Sequence, residues 1–340
     1  MDRNRQQVRS PGVARRRRCV AALALAVAVA GACDQAADGQ AVVGPLEPSL
    51  SATAQAEPEI FAPGVISTDQ EEYRITFTPN GRTAYFGRAA QFFPVSRQAT
   101  IYVTHLVRGR WTTPQVAPFS GEYSDIDPFI TPDGSKLFFS SIRPVDGQPR
   151  LDADIWMVER TRTGWSEPIH LGNVVNSPND DLYPSVARDG TLYFGSSRPG
   201  LPDYPRTWNI WRARWVDGEY MAAELLGEGV NSPTRWDFNP AISPDGRALA
   251  FTRLDIADQL GTGFGELHAT YFHRGEWLPA RNLGPPVNTP LDEYHPSFSP
   301  DGKYLYFARR NPLLADANGD LYRMPVRAII GDRPPGGWLP

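Results

Sequence analysis

Apolar and polar residues alternate along two short runs on either side of the pair Asp301-Gly302. Alternation with a period of two predicts a β-strand that buries one face. An Asp-Gly pair between two such runs predicts a hairpin, because glycine adopts the positive φ of a tight turn at little cost. We therefore expect two antiparallel strands here, strand A before the turn and strand B after it.

The same hairpin recurs along the chain. The successive turn glycines are 53, 56, 56 and 56 residues apart, at Gly81, Gly134, Gly190, Gly246 and Gly302. A fixed period of this length is typical of solenoids, propellers and arrays. Small antiparallel sheets that pack against their neighbours around an axis form a β-propeller. The expected fold class is therefore all-β, a propeller of about five four-stranded blades, with a six-bladed ring as the alternative.

The two ends of the repeat region predict how the ring closes. Residues 57–72 resemble the stretch that precedes a later strand A, so the chain opens with an outermost strand that lacks its own blade. The last unit ends in a third strand, at residues 319–326, without a fourth. We expect the N-terminal strand to complete the last blade. The propeller would then span residues 57–333 and leave 334–340 as a tail.

Two columns of charged residues accompany each hairpin. The residue nine positions before each turn glycine is an acid, and an arginine stands near the end of each strand B. The acids are Glu72, Asp125, Asp181, Asp237 and Glu293, and the arginines are Arg88, Arg143, Arg198, Arg253 and Arg310. Opposite charges across a strand pair contribute about 0.2–1 kcal/mol each. We interpret these ten residues as structural clasps that ring one mouth of the central channel.

A third column differs in every blade. Seven residues before the turn glycines stand Arg74, Asp127, Tyr183, Asn239 and His295. A column that repeats no residue is free to build a site, so we expect a ligand-binding site at the channel mouth, with His295 either in the site or as a polar channel lining. The loops between strands B and C lie on the same face and are the longest and least alike, as is typical of binding loops. These loops are 89–100, 144–153, 199–208, 254–265 and 311–319.

Residues 1–33 form a predicted export signal, with a basic start, a short apolar run and small residues before Cys33. Cys33 is the expected lipidation site of a bacterial lipoprotein; soluble export is the alternative, because Ala30 stands where such signals usually carry Leu. Residues 34–56 are predicted to form a flexible tether.

Removing the signal, with its seven Arg and one Asp, changes the net charge from −4 to −10. An acidic domain disfavours nucleic acid, and membrane contact is expected only through the lipid.

Units such as 128–141 (PFITPDGSKLFFSS) and 296–310 (PSFSPDGKYLYFARR) resemble the PD40, or WD40-like, repeats of the TolB-like propeller family. This resemblance covers roughly residues 57–330. It implies an exported bacterial protein at the periplasmic face of the cell envelope, with the propeller acting as a protein-binding platform. The first unit departs from the pattern, with Ile75 where the other units have Pro.

No nucleophile elbow, zinc motif, P-loop or dinucleotide fingerprint occurs, and the histidines have no metal-ligand spacing. Residues 316–320 resemble the start of a calcium loop but lack its bidentate Glu, which favours an ordinary turn. We expect no metal or cofactor, and a monomeric, non-catalytic platform for an envelope protein or peptide. The alternative is a carbohydrate-binding or glycoside-hydrolysing propeller, for which Asp127 would be one of the two carboxylates.

Overall fold

The computed structural model describes residues 56–199, 208–255, 265–314 and 318–330. The predicted signal with Cys33, the tether up to residue 55, the tail and residues 316 and 317 of the 316–320 turn lie outside these ranges. In the described residues no helix is long and apolar enough to cross a membrane.

The described part of the chain folds into five antiparallel sheets arranged as the blades of a β-propeller, with strand A of each blade innermost. The first strand of the chain is β1 (Glu59–Ile60). Blade 1 contains β2 (Glu71–Phe77), β3 (Thr83–Ala89), α1 (Phe93–Ser96), β4 (Thr100–Val107), β5 (Arg110–Trp111) and β6 (Gln115–Val116). Blade 2 contains β7 (Asp125–Ile130), β8 (Lys136–Ser141), β9 (Asp154–Glu159) and β10 (Ile169–His170).

The remaining blades repeat this plan. Blade 3 contains β11 (Asp181–Val186), β12 (Leu192–Ser196), β13 (Asn209–Ala213), β14 (Trp215–Val216), β15 (Glu219–Tyr220) and β16 (Glu224–Leu225). Blade 4 contains β17 (Arg235–Ile242), β18 (Ala248–Asp255), β19 (Glu266–His273), β20 (Glu276–Trp277) and β21 (Arg281–Asn282). Blade 5 contains β22 (Asp292–Phe298), β23 (Tyr304–Arg310) and β24 (Asp320–Pro325), after which α2 (Val326–Ile330) follows.

The ring is closed by the N-terminal strand, as the sequence predicts. β1 pairs antiparallel with β24 and completes blade 5, with Glu59 opposite Arg323 and Ile60 opposite Tyr322. Beyond the strand, the Phe61 amide donates to the Leu321 carbonyl at 2.7 Å. The predicted five-bladed propeller is therefore confirmed, and the six-bladed alternative is wrong.

Apolar side chains at alternate strand positions fill the spaces between the blades. Phe86, Phe139, Phe194, Phe251 and Phe307 occupy equivalent places on the five B strands and are fully buried. Burying a phenylalanine side chain contributes about 1.5–3 kcal/mol to the stability of the fold. These five phenylalanines, one in each blade, therefore hold each blade against its neighbours. The rigid body that results fixes the position of the loops on both faces.

Candidate functional site

Every strand A contains a β-bulge next to the variable column. The pairing register between strands A and B shifts at the same place in blades 2 to 5 and one residue earlier in blade 1, and in all five blades the column residue lies within the shift. In blades 2 to 5 the column residue has a positive φ: 58° for Asp127, 64° for Tyr183, 53° for Asn239 and 52° for His295. A proline follows each of these four residues, whereas Ile75 follows Arg74, which is not among the positive-φ residues. Non-glycine residues held at positive φ cluster at functional sites, which makes the column a candidate on geometric grounds.

The bulges bring the five column residues together inside the central channel. Arg74 Nη2 crosses from blade 1 to donate to the Pro240 carbonyl of blade 4 at 2.7 Å. His295 Nδ1 lies 2.8 Å from Asp127 Oδ1, which joins blade 5 to blade 2. The rings of His295 and Tyr183 are 5.4 Å apart between centroids. The structure therefore places the variable column as one cluster on the axis.

Several polar atoms of this cluster have no hydrogen-bond partner among the described residues. They are Nε and Nη1 of Arg74, both carboxylate oxygens of Asp127, Nδ2 of Asn239 and Nδ1 of His295. The short contact between His295 and Asp127 is thus a close polar contact without the alignment of a hydrogen bond. Burial lowers the pKa of Arg74 to about 10, and the negative charge of Asp127 partly opposes this. Buried polar groups without partners are expensive, so we expect water or a ligand group to satisfy them.

Above the cluster opens a cavity of about 510 Å³ on the face where the A strands begin. We call it the mouth pocket. Its lining is Tyr73, Phe92, Phe93, Pro94, Arg97, Ile126, Asp180, Leu182, Tyr183, Trp208, Trp236, Phe238, Leu254, Gly265, Asp292, Tyr294, His295, Arg310 and Pro312. The lining comes from strand A starts and from B–C loops of blades 1, 3, 4 and 5, which is the face that the sequence analysis favoured.

Three of the five residues predicted at the channel mouth lie deeper in the channel than the sequence predicts. Tyr183 and His295 line the mouth pocket, but Arg74, Asp127 and Asn239 do not. These three side chains are 0% exposed and lie inside the channel. The reason is that the column stands two to four residues inside strand A, at the bulge, which changes the direction of the side chain. A role of the five residues in ligand binding stays a prediction.

Three carboxylates that the sequence analysis did not single out surround the mouth pocket. Asp180 accepts hydrogen bonds from both terminal nitrogens of Arg97, at 2.6 and 3.2 Å, and from the Ala153 amide at 2.8 Å. Glu71 lies just behind the lining, where it accepts from the Tyr294 hydroxyl at 2.5 Å and from the Gly319 amide at 3.0 Å. These two carboxylates are therefore held by the protein itself.

The third carboxylate, Asp292, is held on one side only. Its Oδ1 accepts from the Gly265 amide at 2.7 Å, and no hydrogen bond to Oδ2 occurs among the described residues. Burial raises the pKa of Asp292 to about 6, while the Gly265 amide and the charge of Arg310 act in the opposite direction. Burial likewise raises the pKa of Glu71. Carboxyl groups with perturbed pKa values in a cleft are candidates for function.

A sequence signal for these residues exists one position before the acid column. The residues ten positions before the turn glycines are Glu71, Ser124, Asp180, Trp236 and Asp292. They include four residue types in the five blades, and three of them stand directly before another acid.

The clasps themselves are present, with one change of partner. The four pairs Glu72–Arg88, Asp125–Arg143, Asp181–Arg198 and Asp237–Arg253 have N–O distances of 3.0, 2.7, 2.6 and 2.6 Å. In blade 5 the acid Glu293 pairs with Arg309 at 2.8 Å, and the predicted partner Arg310 is wrong. Strand register explains this, because Glu293 stands opposite Arg309 and Asp292 opposite Arg310. Arg310 lies 3.7 Å from Glu71 and belongs to the mouth pocket.

Each clasp arginine also binds a backbone carbonyl before its own strand A. Arg198, for example, donates to Asp181 at 2.6 Å and to the Val175 carbonyl, while the Ser177 amide donates to the same acid. An acid with this many partners is held in place, which supports a structural role.

Among the described residues, no group of three or more His, Cys, Asp and Glu side chains could hold a metal ion.

No family model and no curated protein matches the chain. Among solved structures, the chain is similar to a thermostable family-43 glycoside hydrolase, with 12% identity and a TM-score of 0.50 over 76% of this chain and 90% of the other. It also matches an α-L-arabinanase from Penicillium chrysogenum, with 13% identity and a TM-score of 0.48 over 81% and 99%. A TolB-like protein from Agrobacterium tumefaciens gives 16% identity and a TM-score of 0.47 over 77% and 79%. At these identities the likeness concerns the fold, and fold alone does not decide function.

Proposed function

We propose that the protein is a non-catalytic binding propeller, and that the mouth pocket holds a side chain of a protein or peptide partner. What carries the proposal is the lining of the pocket. Its walls are mainly aromatic and aliphatic, and two of its three carboxylates are already fully occupied by the protein. A pocket of this kind suits an apolar or amphipathic side chain, whereas a sugar needs many free polar partners for its hydroxyl groups.

The loop tips around the pocket support a macromolecular partner. Val95 is 78% exposed, Leu151 93% and Leu313 67%, and all three stand on B–C loops of the pocket face. Large apolar side chains that are exposed together beside a pocket are typical of interaction surfaces. The partner would place an anchor residue in the pocket and rest its flanking surface on these tips.

The location of the protein is a proposal of its own. The predicted signal and Cys33 support export and lipid anchoring at the envelope, with soluble export as the alternative. The partner would then be an envelope protein.

Selection from a displayed peptide library, followed by measured affinities, tests the binding proposal. We expect wild-type protein to select peptides, and Trp236→Ala to weaken them about tenfold or more, because truncating an aromatic residue at the centre of an interface costs over 1 kcal/mol. Trp215→Ala is the matched control. Trp215 is also half-buried but packs beside the A–B turn glycine Gly190, on the opposite face. Failure to select any peptide, or equal losses in both variants, would refute the proposal.

Glycoside hydrolysis is the second candidate, and one observation favours it. Asp292 combines a position in the pocket with a pKa near 6, as a proton donor requires, and the buried carboxyl of Glu71 interacts with it electrostatically. Asp127, the earlier candidate, is enclosed in the channel and does not line the pocket. A panel of aryl glycosides separates the two functions. Turnover that Asp292→Asn abolishes while substrate still binds would establish the hydrolase.

A further inference from the structure

We propose that the anchor group bound by the mouth pocket is an organic cation, a lysine, arginine or amino-terminal group, that pairs with Asp292 between aromatic rings. This inference rests on the proposed binding function and names the chemistry of its ligand. It follows from three features of the pocket: the hydrogen bonds of its carboxylates, its charge balance, and aromatic rings that have no cation over them in the described contacts.

The hydrogen bonds leave one carboxylate oxygen available. Both oxygens of Asp180 accept from Arg97, and both oxygens of Glu71 accept from other donors. Oδ2 of Asp292 has no hydrogen bond among the described residues. The enclosed polar atoms without a partner do not include it, so Oδ2 is accessible from outside the protein. It is therefore open to the pocket. A carboxylate oxygen in this state accepts a hydrogen bond but cannot donate one, so its partner must be a donor.

The charge balance requires a positive partner. Around the pocket stand three carboxylates, of Glu71, Asp180 and Asp292, against two guanidinium groups, of Arg97 and Arg310. In the channel below, Arg74 and Asp127 balance each other. Among the described residues the pocket therefore carries one carboxylate more than guanidinium groups, and Asp292, which shares the charge of Arg310 with Glu71, has no ion pair of its own. Burying a charge is costly unless it is paired, so a ligand cation would gain more here than a neutral group.

An anionic ligand finds no equivalent place. Arg97 is bound to Asp180 through both terminal nitrogens and to the Leu151 carbonyl at 3.1 Å. Arg310 lies beside Glu71 and stacks on Phe92, with Cζ 4.3 Å from the ring centroid. Both guanidinium groups of the pocket are therefore engaged, and an anion would have to displace an existing ion pair.

The ring faces complete the site. Two aromatic residues of the pocket already carry a guanidinium group: Phe92 carries Arg310, and Phe93 carries Arg97 at 5.1 Å. Trp208 and Phe238 lie with ring centroids 6.5 Å apart, and in the described contacts neither has a cation over it. Trp236, which lines the same pocket, has none either in those contacts. Indole is the strongest cation–π partner among the side chains.

The test uses pairs of probes that differ only in charge. N-acetyl-lysine methylamide is compared with its norleucine analogue, and N-acetyl-arginine methylamide with its citrulline analogue, by calorimetry and tryptophan fluorescence on the purified protein. We expect each cation to bind about tenfold or more tighter than its neutral partner, because hydrogen bonds to charged groups are the strong ones. Asp292→Asn should remove this preference. Asp301→Asn, at an exposed acid of the opposite face that pairs with Lys303, should keep it.

The outcomes separate this inference from the function on which it rests. If library peptides bind in the pocket without a basic residue and Asp292→Asn leaves them unaffected, the cation inference is wrong and the binding proposal stands. If the cations bind through Asp292 but no peptide is ever selected, the ligand chemistry stands and the protein-partner proposal falls. Equal affinity for charged and neutral probes, or a preference that survives Asp292→Asn, overturns the inference directly.

Discussion

Replacing Asp292 by asparagine should stabilise the fold while it removes the preference of the mouth pocket for cations. Asparagine keeps the oxygen that accepts from the Gly265 amide and places a neutral amide where the unpaired Oδ2 stands. The change therefore removes a buried charge at almost constant volume. Stabilisation on loss of a polar residue is the behaviour expected of a group that is kept for binding and not for folding.

The magnitude follows from the pKa of Asp292, which burial raises from 3.8 to about 6. The folded protein then holds this proton more tightly than the unfolded chain does. Between pH 3.8 and pH 6 stability accordingly falls as pH rises, and above pH 6 the cost is complete. A difference of about two pKa units corresponds to about 3 kcal/mol as an upper value. The groups that set this balance are Arg310 on β23, Glu71 on β2 and His295 on the same strand as Asp292.

Denaturant unfolding of both proteins from pH 4 to pH 8 measures the effect. We expect Asp292→Asn to be more stable by about 1–3 kcal/mol at pH 7 to 8, with the difference shrinking as pH falls from 6 toward 4; it vanishes only well below pH 3.8, where both states carry a neutral side chain. The exposed control Asp301→Asn should stay within about 0.5 kcal/mol of wild type. A variant that is less stable than wild type at pH 8, or a difference that grows toward acid pH, would refute the reasoning.

Three further changes test the clasps, the ring closure and the predicted lipidation. Arg198→Met should lower the free energy of unfolding by about 3–5 kcal/mol, because it leaves the buried Asp181 carboxylate without its cation; an unchanged unfolding midpoint would contradict the clasp role. Removing residues 1–66 should cost at least about 3 kcal/mol relative to removing 1–55, because it deletes β1 and two buried side chains; equal stability would show that the ring does not need this strand. Cys33→Ser should move the protein from the membrane fraction to the soluble fraction, and membrane association that persists would favour another anchor.

The fold could be predicted from the sequence because the features that determine it recur at a regular spacing. Five Asp-Gly or Asn-Gly turns at a nearly constant spacing determine the number of hairpins, and the unmatched first strand determines how the ring closes. A hydrophobic column repeated in every blade leaves few other arrangements for the A and B strands.

The site could be predicted less well, because it depends on what differs between blades. The variable column pointed to the correct axis, but its depth depends on a bulge whose effect on side-chain direction is not visible in the spacing. Counting from the turn allows an error of one residue, which is why it predicts Arg310 as the clasp arginine of blade 5 in place of Arg309. A shift of one residue changes the face of a strand. The position of Asp292 beside the acid column is visible in the sequence, but its burial and its oxygen without a partner are visible only in the structure.

The central claim, that the mouth pocket is the binding site, is tested most directly by photo-cross-linking. A selected peptide that carries a diazirine beside its anchor residue is irradiated with the protein, and the modified residues are mapped by mass spectrometry. We expect labels within residues 92–97 and on Trp208 or Trp236, with loss of label when excess unmodified peptide is present. Labels confined to the A–B turn face, such as residues 244–247 or 300–303, would contradict the account.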